Sequence, residues 1–243
     1  MGSSDAEMAR VRGLVSQEST GPQGGSMLWL RGLCRAAARA LPAAGAGVSV
    51  MGSAGLQGLA VASDAHSELI EELQFALGEG PCRDAYDTGT AVLVSDLSRE
   101  GAERWPIYTP AARESGVEAV FAFPLRVGGV RLGVLDVYAR RPGPLSDEAM
   151  RWAPVFAEVA MLGLLETYGA GGTLDPDLNP GRSLPMGYGV EVYQAQGMLQ
   201  VQLGVGSTAA LARLRAHAFT TGRRLSDVAR DIIDRRLVLE RDE

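Results

Sequence analysis

The sequence predicts an α+β protein in which an antiparallel sheet flanked by helices precedes a separate unit of three helices. Two strand-like runs, Ala119–Val127 and Val130–Ala139, are joined by Gly128-Gly129, a dipeptide that supplies the positive φ of a two-residue hairpin. Residues 169–185 contain four Gly, three Pro and few apolar residues, as linkers do. These observations place the sheet domain before the linker and the helical unit after it.

The composition is that of an ordinary globular chain. The 243 residues are 46% hydrophobic and 21% charged, which suits two modest domains. No run of about 18 apolar residues could span a bilayer, and residues 1–12 contain Asp5 and Glu7 where a secretory signal would be apolar. We therefore expect a cytoplasmic protein without membrane partners.

Residues that bind metals or act as nucleophiles are scarce. Cys34 and Cys82 are too far apart in sequence to indicate a disulfide framework or a metal cluster, so we expect two buried free thiols. With only two histidines, His66 and His217, neither a metal site nor a cofactor is predicted. No set of nucleophile and base is recognisable, so we expect no catalytic residues.

The charge is unevenly distributed. A net charge of −6 argues against a general nucleic-acid binder, because phosphate neutralisation dominates such affinity. Residues 186–243, however, contain eight arginines and seven acidic residues, a net charge of +1 that leaves −7 for the rest. The arginines cluster between Arg213 and Arg224, which predicts a basic edge on the C-terminal unit.

The first elements follow from hydrophobic spacing. Residues 1–26 are rich in Gly, Ser and Gln and predict a flexible arm. A helix that Pro42 ends follows, with short strands over 47–51 and 58–62 joined by a turn at 52–55. Its apolar residues recur at helical spacing: Leu28, Leu30, Leu33, Cys34, Ala37 and Leu41.

A helical segment separates these strands from the hairpin. Asp64 can cap a helix, and a short helix over 84–88 and a strand over 91–94 follow it. Leucines repeat every four residues along the capped helix: Leu69, Leu73 and Leu77. Glu68, Glu71 and Glu72 are then expected on its solvent face, which excludes them as a catalytic pair.

The segment 78–82, Gly-Glu-Gly-Pro-Cys, ends that helix. It lacks the spacing and the lysine of a phosphate-binding loop, so we interpret it as a structural turn with Cys82 in a packing role.

A long helix begins at Ser146 and runs to about Tyr168. We expect the first and last helices to cover one face of the sheet, with a small-molecule pocket between the other face and the intervening segment.

The C-terminal unit reads as three helices. Val190–Leu203 is stopped by Gly204, Ser207 caps a second helix that ends at Gly222, and Ser226 caps the third. So small a unit buries little core alone, which predicts a homodimer. The long helix offers a stripe for it at near-heptad spacing: Val155, Val159, Leu162 and Glu166.

Two stretches resemble known families. The run LQFALGEGPC from Leu73 to Cys82, with Ala85, Gly89 and the later FAFPL from Phe121 to Leu125, is similar to the GAF sensory domains of actinobacterial GAF-ANTAR regulators, over residues 27–168. Residues 186–243 resemble the ANTAR domain. Their matching positions are Ala195, Gly197, Ala210, Leu214, Arg215, Ala218, Gly222, Leu225, Val228 and Ala229.

The resemblance implies a transcription antiterminator. Such proteins bind paired hairpins in a nascent transcript as dimers, under the control of a ligand or signal sensed by the GAF domain. Many ANTAR domains have a lysine where this chain has Gln196, so one presumed phosphate contact becomes a neutral donor.

Ten residues are the candidate RNA contacts. Some suit unpaired bases and others suit phosphates or close approach, although Phe219 alone is expected in the core rather than as a stacking platform. They are Gln194, Ala195, Gln196, Gly197, Arg213, Arg215, Ala218, Phe219, Arg223 and Arg224. Two alternatives stay open: a DNA-binding helix-turn-helix regulator, and a sensor or adaptor whose C-terminal helices only dimerise.

Overall fold

The computed structural model describes residues 3–19, 26–51, 57–169 and 190–240. The chain forms two compact units that divide between Pro185 and Met186. The first contains, in chain order, α1 (Ser3–Glu18), α2 (Ser26–Ala40), β1 (Gly45–Met51), β2 (Gln57–Ala62), α3 (Ala65–Leu77), α4 (Pro81–Thr88), β3 (Val92–Val94), α5 (Leu97–Glu100), α6 (Tyr108–Glu114), β4 (Ala119–Val127), β5 (Val130–Ala139) and α7 (Asp147–Gly169). The second contains α8 (Val190–Leu203), α9 (Ser207–Thr220) and α10 (Leu225–Ile233). The turn predicted at 52–55 and the linker predicted beyond Gly169 lie outside the described residues.

The strands of the first unit form one antiparallel sheet in the order β2-β1-β5-β4-β3. β5 is therefore the central strand, and it joins β4 through the predicted hairpin, where Gly128 has a φ of 56°. Side chains alternate between the faces of a strand. β5 consequently presents Asp136 and Tyr138 to one face and Leu135 and Val137 to the other.

One face of the sheet is apolar. α2 and α7 pack against it, as the sequence predicts for the first and last helices of the sheet domain. The buried side chains between them come from both helices and from four strands; they include Leu33, Val48, Phe121, Leu135 and Phe156. Burial of side chains of this kind contributes about 1.5–3 kcal/mol each, so this layer is the main source of stability in the unit.

The expectation of a flexible arm over residues 1–26 is wrong for the part that the structure describes. Residues Ser3–Glu18 form α1, which packs on α2 and α7. Met8, Val11 and Val15 recur at helical spacing, and the two valines are fully buried in the apolar layer. Leu14 also packs against this layer. A few large apolar residues in one short segment of polar neighbours are too weak a signal to predict a helix.

The stripe predicted on α7 for dimerisation is used within the chain. Val159 is fully buried and Val155 packs against the same core. Glu166 accepts a hydrogen bond from the Arg12 guanidinium of α1 at 3.3 Å. The two valines of the stripe are thus engaged in the core of the chain itself, whereas Glu166 remains exposed.

The other face of the sheet is covered by α3, α4, α5 and α6, of which the last two have no clear signal in the sequence. Asp64 caps α3 as predicted: its Oδ1 accepts from the backbone N–H groups of His66 and Ser67, both at 3.0 Å. The leucine stripe lies at the edge of the buried side: Leu69 is exposed, while Leu73 and Leu77 are half-buried against the core. The buried side of α3 instead includes Ile70, Glu71 and Gln74.

The C-terminal unit is the predicted set of three helices. Its core is small and apolar, and includes Val192, Leu199, Leu211, Leu214, Val228 and Ile232. Gly204, with a φ of 68°, follows α8 as predicted, but the residues before α9 and α10 are Gly206 and Arg224 rather than the predicted serines. None of the described helices is long and apolar enough to cross a membrane.

Replacing the two buried valines of α1 should destabilise the first unit. Val11→Ala with Val15→Ala removes four methylene-sized groups from the core, so the free energy of unfolding should fall by about 3 kcal/mol, at about 0.8 kcal/mol per group. Urea unfolding measures this change. Val127→Ala, at a half-exposed position of β4, is the control and should change it by less than about 0.5 kcal/mol. An equally small effect of the α1 pair would show that α1 is not docked in solution.

Candidate functional site

A cluster of buried polar side chains lies between the sheet and α3. Asp136 is at its centre, on the central strand, and is fully buried. Its register partners on the neighbouring strands are Gly47 of β1 and Ala122 of β4. Small residues on both sides leave room above Asp136 for side chains that descend from the helices.

Glu71 descends from α3 into this room. Its Oε1 accepts a hydrogen bond from Tyr138 Oη and its Oε2 accepts one from Ser49 Oγ, each at 2.5 Å. A Cβ on Gly47 would lie 2.1 Å from Oε1, so only glycine leaves space for this carboxyl group. The prediction that Glu71 and Glu72 face solvent is wrong, because both are buried.

The turn at 78–82 closes the cluster from above. Gly78 ends α3 with a left-handed backbone conformation. The Glu79 carboxylate accepts hydrogen bonds from the backbone N–H groups of Ile107 and Tyr108, at the start of α6. Gly80 has a φ of 142°, and a Cβ there would lie 2.5 Å from Gln74 Oε1. That same oxygen accepts from the backbone N–H of Cys82 at 2.8 Å, which fixes the start of α4. The segment therefore forms a turn that connects α3 to α4.

The turn brings the Cys82 thiol to the two carboxyl groups. One ligand atom each from Glu71, Cys82 and Asp136 lies within 4.8 Å of the other two, and all three residues are buried. Cys34, the other free thiol, lies in the apolar layer on the opposite face of the sheet. The two cysteines therefore cannot pair with each other in this fold.

Burial dominates the electrostatics of the cluster. It raises the pKa of Asp136 well above its usual range, and the charge of Glu71 raises it further. The pKa of Glu71 is raised by burial as well, against the hydrogen bonds from Ser49 and Tyr138. Burial and the charges of Asp136 and Glu71 raise the pKa of the Cys82 thiol, so this thiol is not an activated nucleophile.

In the C-terminal unit, three of the ten candidate RNA contacts lie in the interior. Ala195, Gln196 and Ala218 are buried. The Gln196 amide Nε2 donates to the backbone oxygen of Ser207 at 2.8 Å and to its Oγ at 2.7 Å, which ties α8 to the start of α9. Their role in this unit is packing, because RNA cannot reach buried side chains without disrupting the core.

Phe219 and Arg215 lie one turn apart on α9. Phe219 is 61% exposed, so the expectation that it belongs to the core is wrong. Arg215 is half-buried, at the edge of the stripe marked by Leu211, Leu214 and Ala218, and its charge acts on the half-buried Tyr193 of α8. An exposed aromatic residue and a half-buried arginine thus share one face of α9 at a spacing of four residues.

The other three arginines among the candidate RNA contacts lie in two different parts of the C-terminal unit. Arg223 and Arg224 are exposed in the turn between α9 and α10, where Gly222 has a φ of 62°. Arg223 donates to Asp231, which also accepts from Arg236. Arg213 points elsewhere and donates to the backbone oxygen of Glu240 at 3.5 Å.

Gln194 and Gly197 belong to a different surface, on the outer side of α8. They border a groove of about 700 Å³ that no residue of α9 lines; its other borders are Met198, Val201, Gln202, Ile232, Arg235, Leu237 and Val238. A Cβ on Gly197 would meet nothing within 4 Å. The structure therefore does not bring all the predicted RNA contacts together.

Comparison with models of protein families identifies both domains of the chain. The model of the GAF domain matches residues 30–164, more than half of the chain, and the model of the ANTAR domain matches residues 190–233. The chain belongs to the GAF domain family and carries an ANTAR domain. It is a GAF-ANTAR regulator, as the resemblance in sequence implies. The buried carboxyl cluster is part of its GAF domain, and α8 to α10 form its ANTAR domain.

Solved structures agree on the fold of the GAF domain. The GAF domain of an Acinetobacter phosphoenolpyruvate-protein phosphotransferase is 13% identical, with a TM-score of 0.52 over 72% of this chain and 100% of that one. The equivalent domain from Coxiella burnetii is 16% identical, with a TM-score of 0.52 over 70% and 99%. A free methionine-R-sulfoxide reductase from Neisseria meningitidis is 16% identical, with a TM-score of 0.50 over 69% and 91%. Comparison with curated proteins gave no significant match.

Filling the space at Gly47 should test the packing of the cluster. Gly47→Ala forces the Glu71 carboxyl away from Tyr138 and Ser49, and such overpacking should lower the free energy of unfolding by about 1–3 kcal/mol. In a Glu71→Ala background the same substitution should cost little, because the clashing group is gone. Chemical denaturation of the four variants measures the coupling. Gly129→Ala, where a Cβ would meet nothing within 4 Å, is the control. Additive effects at Gly47 and Glu71 would contradict the described packing.

Proposed function

We propose that the protein is a transcription antitermination factor that binds paired hairpins in nascent mRNA as a homodimer. The ANTAR domain makes the RNA contacts, and a ligand or signal sensed by the GAF domain controls them. The protein has no catalytic role in this proposal, which the high pKa of the Cys82 thiol and the separation of the two cysteines support.

The observation that carries the RNA proposal is the pair formed by Arg215 and Phe219. Sequence-specific recognition of RNA usually targets unpaired loop bases, which stack on aromatic rings and accept hydrogen bonds from arginine. Phe219 exposes most of its ring although burial would stabilise the unit, and Arg215 lies one turn away on the same helix. An exposed aromatic ring beside a guanidinium group suits a flipped or stacked base.

The charges around this pair support phosphate contacts at its edge. Arg223 and Arg224 lie at the end of α9, one turn beyond Phe219. Arg223 already has an acidic partner, Asp231, so part of its attraction for phosphate is offset. The unit as a whole has a net charge close to zero, so affinity should rest on loop contacts more than on counterion release.

Removing either member of the pair should weaken hairpin binding in a folded protein. Charged hydrogen bonds contribute about 1.5–3 kcal/mol, so Arg215→Ala should weaken binding tenfold or more. Stacking contributes about 1–3 kcal/mol per base, so Phe219→Ala should weaken it about fivefold or more. Fluorescence anisotropy with a labelled two-hairpin RNA measures affinity, and thermal melting of the same samples checks the fold.

Arg230→Ala is the matched control. Arg230 is an exposed arginine of the same domain whose guanidinium pairs with Asp227 and Glu191, so its loss removes the same charge without touching the pair. Its RNA affinity should change by less than about threefold. Unchanged affinity in folded Arg215→Ala and Phe219→Ala proteins would refute the proposed interface. Tighter binding to duplex DNA than to the hairpin RNA would instead favour a DNA-binding regulator.

The protein should be a dimer in solution. Two hairpins require two ANTAR domains, and the small core of α8 to α10 gives the unit limited stability alone. Light scattering at tens of micromolar should give a mass near twice the 25.6 kDa of one chain. A mass of one chain at that concentration, with RNA added or not, would contradict the homodimer.

A further inference from the structure

Asp136 is the least satisfied polar side chain of the GAF domain core. It is fully buried, and neither of its carboxyl oxygens has a hydrogen bond of normal geometry with the described residues. The side chains of Cys82, Gln74 and Glu71 lie close enough to act on its pKa. Glu71, in contrast, accepts hydrogen bonds at both oxygens. No arginine of the described part of the chain pairs with either carboxyl group. A buried carboxyl group without well-formed hydrogen bonds is costly in either protonation state, so Asp136 is expected to have a further partner.

Two more buried groups point to the same place. The Tyr108 hydroxyl of α6 and the Gln74 amide Nε2 of α3 are buried and have no hydrogen-bond partner among the described residues. The charges of Asp136, Glu71 and Cys82 all act on Tyr108, which places its hydroxyl at the cluster. Orphaned polar atoms from α3, α6 and β5 thus converge beside three groups that can bind a metal ion.

We propose that Glu71, Cys82 and Asp136 bind one divalent transition-metal ion in the GAF domain. One atom from each side chain lies within 4.8 Å of the others. With metal–sulfur bonds of about 2.3 Å and metal–oxygen bonds of about 2.0–2.2 Å, neighbouring ligand atoms of a tetrahedral site are about 3.5 Å apart. The three groups would therefore draw closer together when they bind an ion.

The types of the three ligands select the class of metal. A thiolate with two carboxylates suits Zn²⁺, Co²⁺ or Fe²⁺ rather than Mg²⁺ or Ca²⁺, which bind oxygen alone. Metal binding releases to solvent the thiol proton of Cys82 and any proton that the two carboxyl groups hold, and the ion then compensates the negative charges of its ligands. Ser49 and Tyr138 hold the Glu71 carboxylate in place through the hydrogen bonds that they donate.

The metal site does not depend on the proposed RNA function. It rests on side chains of the GAF domain, and its occupancy can be measured without RNA. If both proposals hold, the metal ion is a signal or structural component of the sensory domain. Failure of the Arg215 and Phe219 test would leave the metal site unaffected, and failure of the metal test would leave the RNA interface unaffected.

Cobalt and zinc titrations of the full chain test the site. The reduced protein, refolded from denaturant after chelation, should bind one Co²⁺ per chain and show thiolate-to-cobalt charge-transfer absorption in the near ultraviolet. Zn²⁺ should displace the cobalt and raise the melting temperature. Cys82→Ser should abolish the charge-transfer absorption, and Asp136→Asn should weaken Zn²⁺ binding at least tenfold.

Cys34→Ser is the matched control, because Cys34 is an equally buried thiol on the opposite face of the sheet. It should retain the absorption and the zinc affinity. Should Cys82→Ser fail to fold, Asp136→Asn and Glu71→Gln, which keep the shape of the side chains, still test the ligands. Wild-type protein with no absorption band and no rise in melting temperature would overturn the proposal. An absorption band that Cys34→Ser loses and Cys82→Ser keeps would also overturn it. The same holds if Asp136→Asn melts at a higher temperature than the wild-type protein while metal ions raise the melting temperature of neither protein.

Discussion

The polar half of the GAF domain is organised around one buried carboxyl group, Asp136 on the central strand. Gly47 and Ala122 beside it lack bulk, which lets Glu71 reach the sheet from α3. The turn at 78–82 then places Cys82 beside Asp136 and Glu71. Gly80, which has no side chain, leaves space in this turn for the side chain of Gln74. Each of these local features would be unnecessary in an apolar core. They are explained together by the need to surround Asp136 with polar groups.

The two faces of the sheet have different physical tasks. The face under α1, α2 and α7 is filled by aliphatic and aromatic side chains, and supplies most of the stability. The face under α3 to α6 contains two carboxyl groups, a thiol and two tyrosines whose burial costs free energy. Buried polar groups that cluster at one place and do not stabilise the fold are typical of functional sites. The apolar face provides the stability that such a site requires.

Local patterns in the sequence predict much of the fold but do not predict the buried polar cluster. The Gly128-Gly129 hairpin, the Asp64 cap and the bounds of α8 depend on neighbouring residues, and all three are confirmed. Glu71 has no such signal. Its burial depends on Gly47 and Asp136, which reach it only through the folded sheet, so helical spacing alone assigned it to solvent. α1 was missed because its apolar stripe is short, and Phe219 because an exposed ring in a small helical unit has the same pattern as a core residue.

The central strand also connects the polar cluster to the apolar layer on the other face of the sheet. Successive residues of β5 face opposite sides, so Asp136 contacts the polar cluster while Leu135 and Val137 pack in the layer that contains Phe156 of α7. A change in the charge or coordination of Asp136 acts on the backbone that holds both neighbours. The close packing of that layer leaves little room to absorb a shift of the strand locally. α7, the last described element of the GAF domain, is therefore the helix that a shift of the strand at Asp136 would reach through this layer.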